Sequence, residues 1–123
     1  MTLDRVAGKG RNLPGREAGM SRHMHVTPTG LRIVAGWDRP LGHHFLEVYD
    51  DRVTPGEEGH VVYHTMHDVS LMDRGRPRHL FGGLSLEELD AKLAEHSLTL
   101  PAAMRAQLEA DARSNAGNDA RTF

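Results

Sequence analysis

Two stretches decide the fold: Leu31-Arg32-Ile33-Val34-Ala35-Gly36-Trp37, and His43-His44-Phe45-Leu46-Glu47-Val48-Tyr49 after a short connection. In the first, Leu31, Ile33, Ala35 and Trp37 alternate with Arg32, Val34 and Gly36, the period of two that marks a strand with one apolar face. Asp38, Arg39, Pro40, Leu41 and Gly42 carry turn chemistry, because Pro presets φ and Gly permits a left-handed residue. In the second stretch Phe45, Glu47 and Tyr49 share one face; His44, Leu46 and Val48 share the other. Two strands joined by a short turn read as an antiparallel pair.

Working toward the C-terminus, the acidic segment from Asp50 to Gly59 is expected to be a solvated loop, and a third strand is expected from about His60 to Met66. Asp73 to Gly83 reads as a second loop. Ser85 and Glu88 have the spacing of a capping box, in which the hydroxyl and the carboxylate satisfy free N–H groups at a helix start. Leu86, Leu89 and Leu93 then supply a helical stripe ending near His96. Pro101 opens a second helix with Met104, Leu108 and Ala112 inward, stopped by Asn115, Gly117 and Asn118. The expected fold is α+β: a three-stranded antiparallel meander, then two C-terminal helices on one sheet face, in the order β-β-β-α-α.

Outside that unit, residues 1–28 show no periodicity and contain several Gly, so they are expected to form a disordered or loosely attached arm. The domain is expected over residues 29–114 and a frayed tail over 115–123. Met20 is an alternative translation start to Met1. The first residues have no apolar run of a secretory signal, and no stretch approaches the roughly 20 apolar residues that cross a bilayer. A cytoplasmic location without membrane contact is the expectation.

The chain has 123 residues, 26% charged, with a formal net charge of −2, so neither a broad basic nucleic-acid face nor a strongly acidic surface is expected. It has no Cys, which excludes disulfides and thiolate ligands or nucleophiles. Nine His residues are the unusual feature. His60 and His64 would share a metal on a helix, but on a strand their rings stand about 13 Å apart, too far for Zn–N bonds of about 2 Å. A cross-strand metal site combining His43 or His44 with His60 or His64 is the remaining version of that idea. Within the basic run from Arg74 to Arg78, Arg74-Gly75-Arg76-Pro77 matches the core of an AT-hook, whose two arginines enter a narrow A·T minor groove. Those arginines precede Gly82, Gly83 and a helix start, which also suits an anion. No cofactor is expected, and no nucleophile or carboxylate pair stands in a catalytic setting.

The run from Gly30 to Gly42, together with Leu100-Pro101 and the ending Asp111-Ala112-Arg113-Ser114-Asn115-Ala116-Gly117-Asn118, resembles a group of short uncharacterised bacterial proteins associated with plasmids and integrated mobile elements. That resemblance spans about Thr29 to Asn118 and implies an accessory role rather than a known activity. The leading functional expectation is a small non-catalytic protein-binding module that forms a homodimer, with Phe45, Tyr49 and Trp37 as partner contacts. The alternatives are a nucleic-acid-binding accessory protein using Arg74, Arg76 and Arg78, an anti-defence inhibitor, and a histidine-based metal protein or enzyme.

Overall fold

Alternation in the central strands builds the sheet from the middle outward. The structure, a computed structural model, describes residues 19–72 and 83–123. Strands β1 (Ser21–Val26), β2 (Leu31–Asp38), β3 (His43–Asp50), β4 (Val61–His64) and β5 (Asp119–Thr122) form one five-stranded sheet in the order β4-β3-β2-β1-β5. All neighbours are antiparallel except β1 and β5, which are parallel. The β2–β3 register pairs Ile33 with Val48 and Ala35 with Leu46, so four apolar side chains point to one side. The turn between them closes as its residues predict: Gly42 N donates to Asp38 O at 2.7 Å, with Gly42 at φ +70°.

On that side lie α2 (Leu86–Glu95) and α3 (Ala102–Ser114), which follow the one-turn helix α1 (Val69–Met72). Leu89, Leu93, Met104 and Leu108 pack with Ile33, Ala35, Leu46 and Val48 in one buried cluster. Burial of such side chains contributes about 25 cal/mol per Å² of apolar surface removed from water, so this layer supplies most of the drive to fold. The capping box forms as its spacing predicts: Glu88 N donates to Ser85 Oγ and Ser85 N to Glu88 Oε1. Pro101 stands at the N-cap of α3, one position before its first turn, and Asn115 ends the helix in a left-handed conformation at φ 53°.

The fold is therefore α+β with a five-stranded mixed sheet, which corrects the three-stranded meander at both ends. Strand β1 lies inside the stretch read as an arm, and β5 inside the stretch read as a frayed tail. Hydropathy misses both, because the inward side chains of β1 are Ser21 and His23, buried through hydrogen bonds, and β5 is mostly exposed. Residues 1–18 lie outside the described residues. The third strand is also shorter than predicted. His64 Nδ1 accepts a hydrogen bond from Met66 N at 3.1 Å, and the chain winds into a 3-10 turn over Thr65–His67 instead of extending to Met66.

Candidate functional site

Strand β4 ends the sheet, and the chain beyond it folds back against α2, leaving a cleft of about 400 Å³ between them. Val61, Val62, Tyr63 and His64 line it from the strand, His67 and Asp68 from the turn, and Lys92 and Glu95 from α2. Asp68 is the hub. Its Oδ2 accepts from Tyr63 OH at 2.6 Å and Lys92 Nζ at 3.0 Å; its Oδ1 accepts from Ser70 Oγ at 2.6 Å. Burial alone would push the Asp68 carboxyl up, but the hydrogen bonds from Ser70, Tyr63 and Lys92 hold it well below the usual carboxylate range. Burial, with the Asp68 charge beside it, pushes the Tyr63 phenol well above its ordinary value. A saturated carboxylate and a locked phenol leave neither Asp68 nor Tyr63 poised to exchange protons near neutrality.

Near this network three described apolar side chains are exposed. Val61 is 42% exposed, Met66 49% and Val69 78%, the last the highest among the large hydrophobic side chains described. Sequence reasoning passed over all three, since scattered exposed apolar residues carry no pattern. Val61 lies in the end strand, Met66 in the 3-10 turn that follows it and Val69 at the start of α1. His64 stacks on His67 with ring centroids 4.7 Å apart, and its Nε2 lies 3.6 Å from Glu47. Burial lowers the His64 imidazole, and the Glu47 charge offsets only part of that.

The side chains singled out from sequence are spread over the molecule. His44 Nε2 donates to Leu108 O at 3.0 Å on the helix side, against Trp37 at 4.9 Å. His43, its neighbour on the strand, points to the other side and is buried. His60 donates through Nδ1 to Asp50 O and Val53 O at the far end of β3. The four imidazoles of His43, His44, His60 and His64 therefore do not converge. Trp37 faces the helices and donates from Nε1 to Asn115 Oδ1 at 2.9 Å. Phe45 and Tyr49 lie on the opposite face. Phe45 is only 7% exposed, with the Arg22 guanidinium 5.9 Å from its ring, and Tyr49 OH donates to Glu47 while Arg32 stacks at 4.6 Å. These three residues thus form no common surface. Gly83 precedes Leu84, whose backbone pairs with His44. Arg74, Arg76, Arg78 and Gly82 lie outside the described residues.

Among the described residues, His23, Asp111 and Asp119 bring metal-ligand atoms within 4.8 Å of one another. Their hydrogen bonds argue against an ion. Arg121 N donates to His23 Nδ1 at 3.1 Å, so that nitrogen carries a lone pair and Nε2 carries the proton, which it donates to Asp111 Oδ2 at 2.7 Å. A metal-bound imidazole ordinarily donates its second N–H, and here that position faces a donor. Ser21 Oγ donates to the same carboxylate at 2.7 Å, so Ser21, His23 and Asp111 have the composition of a catalytic triad without its order: the serine and the histidine both point at the acid. The chain matches no family model, no curated protein and no solved structure.

Proposed function

We infer that this protein is a small, non-catalytic binding module that acts through protein contacts and pairs with a second copy of itself along the outer edge of β4. The observation that carries this reading is the exposure of Val61 in the end strand and of Met66 and Val69 in the segment that follows it. End strands of soluble proteins are usually blunted by Lys, Pro or inward charge. Val61-Val62-Tyr63-His64 contains no Lys or Pro, and its β-branched and aromatic residues suit strand pairing. A two-fold antiparallel contact uses the same four residues on both sides and closes after one partner. The cleft beside β4 has room for side chains from the added strand. The saturated Asp68 network supports a binding role over a catalytic one. The resemblance to short proteins of bacterial mobile elements supports an accessory role.

Light scattering coupled to size-exclusion chromatography, over rising protein concentration, tests the pairing. The wild-type chain is expected to reach the mass of a dimer, whereas Val61→Lys and Val69→Asp are expected to remain monomeric with unchanged circular dichroism. A wild-type monomer at the highest concentration, or a dimer indifferent to both substitutions, rules the β4 contact out.

A further inference from the structure

The chain has no Cys, so every sulfur it offers to an oxidant is a methionine thioether. Its methionines differ in how open they are. Met104 is fully buried, Met20 and Met24 are half-buried, and Met66 is 49% exposed. Met66 sits in the 3-10 turn directly after β4. Two bonds hold that turn in place. The Met66 backbone N donates to His64 Nδ1 at 3.1 Å, and Thr65 Oγ1 accepts from Leu46 N at 3.4 Å. Thr65 is thereby drawn onto β3 and buried, while Met66 stays open to solvent at the end of the strand.

We propose, on the reading that β4 pairs two copies of the chain, that Met66 is a peroxide-modified contact of that surface: as the thioether it packs on the second copy, and as the sulfoxide it drives the copies apart. In a two-fold antiparallel contact centred between Val62 and Tyr63, Val61 lies across from the partner's His64. The chain beyond His64 then runs alongside the partner's His60 and the partner's Gly59. Gly59 is exposed at φ +94°, and apart from its chain neighbours a Cβ there would meet only Val53, at 3.9 Å. That leaves an open place beside the end of each paired strand. A long, unbranched thioether adapts to such a gap better than a branched side chain does.

The modification is a two-electron oxygen transfer. Met66 Sδ attacks one oxygen of hydrogen peroxide; the S–O bond forms, the O–O bond breaks, and the other oxygen leaves as water after a proton shift. The thioether is oxidised, the peroxide is reduced, and no further reactant is needed. The product is polar, and its oxygen accepts hydrogen bonds. Beside the aliphatic Val61 of the second copy that oxygen gives up its water, and a buried acceptor without a donor costs roughly tenfold in affinity. Two-fold symmetry puts two Met66 side chains in each dimer, so the expected loss is about a hundredfold. Methionine sulfoxide reductases return the thioether, which makes the change reversible.

Mild treatment with hydrogen peroxide, followed by peptide mass spectrometry and by light scattering coupled to size-exclusion chromatography, tests this. Sulfoxide is expected at Met66 before Met20, Met24 and Met104. The dimer dissociation constant is expected to rise about a hundredfold, with circular dichroism unchanged, and reductase treatment is expected to restore the dimer. Met66→Leu is expected to pair as the wild type does and to remain dimeric after the same peroxide treatment. Should that variant fail to pair, recovery of the wild-type dimer on reduction of Met66 decides. A dimer that persists with Met66 fully oxidised, or a Met66→Leu dimer that peroxide dissociates as readily as the wild type, overturns the proposal and leaves β4 pairing standing. An untreated wild-type chain that stays monomeric overturns both.

Discussion

Gly36 shows how one residue sets the spacing of the central strands. A Cβ there would run into the Ser21 carbonyl oxygen and lie 2.7 Å from Phe45 Cζ, so the glycine is required by close approach rather than by its φ. Gly36→Ala is expected to cost about 3 kcal/mol through overpacking, read as a lower urea midpoint. His44 illustrates the electrostatic side. Burial pushes its imidazole below the ordinary value, and the bond to Leu108 O offsets only part of that. Above the unfolded-state histidine value both states are neutral and stability is complete. As pH falls below that value toward the lower folded one, the unfolded chain takes up its proton first and stability declines. The acid loss in urea midpoint is expected to be shallower in His44→Gln than in wild type. Tyr49 has the opposite sign: burial and Glu47 raise its phenol to about 12, so its contribution is present below the unfolded tyrosine value and lost as pH rises through about 12.

The elements differ in how openly the residues announce them. Helix α2 was readable because capping and stripe are local: Ser85, Glu88, Leu89 and Leu93 all fall within one short segment. Ser85→Ala is expected to cost about 1 kcal/mol by removing the cap, measured by thermal unfolding, with α2 amides exchanging faster than those of α3. Strands β2 and β3 were readable for the same reason, since alternation is a local signal. Strand β1 was not. Its inward positions hold Ser21, His23 and His25, and what makes them compatible with burial is Asp111 and Phe123, some ninety residues away. Strand β5 has almost no apolar content and exists because β1 offers it an edge. Met66 was assigned to the third strand and instead lies in a 3-10 turn, because a side-chain bond from His64 outcompeted the ladder.

At the scale of the molecule, Asp111 joins the two layers, accepting hydrogen bonds from Ser21 and His23 of β1 and from Gln107 of its own helix. Burial alone would raise its carboxyl, but those three donors hold it below the usual range. Asp111→Ala would leave buried donors without an acceptor, and a loss of about 3 kcal/mol or more is expected. Chemical denaturation monitored by Trp37 fluorescence checks this, since Trp37 bonds to Asn115 just beyond the same helix. The β4 edge belongs to this scale too. Val61, Met66 and Val69 carried no periodicity, and the cleft that Val61 lines needs α2 to return across the end of the sheet. The residues alone settled the α+β class, the central hairpin and both helices, because alternation, turn chemistry and capping act over a few neighbours. The outer strands, the neutral tautomer of His23 and the exposed edge were decided only by tertiary structure. Each depends on which distant partner satisfies, or fails to cover, a group once the chain has closed.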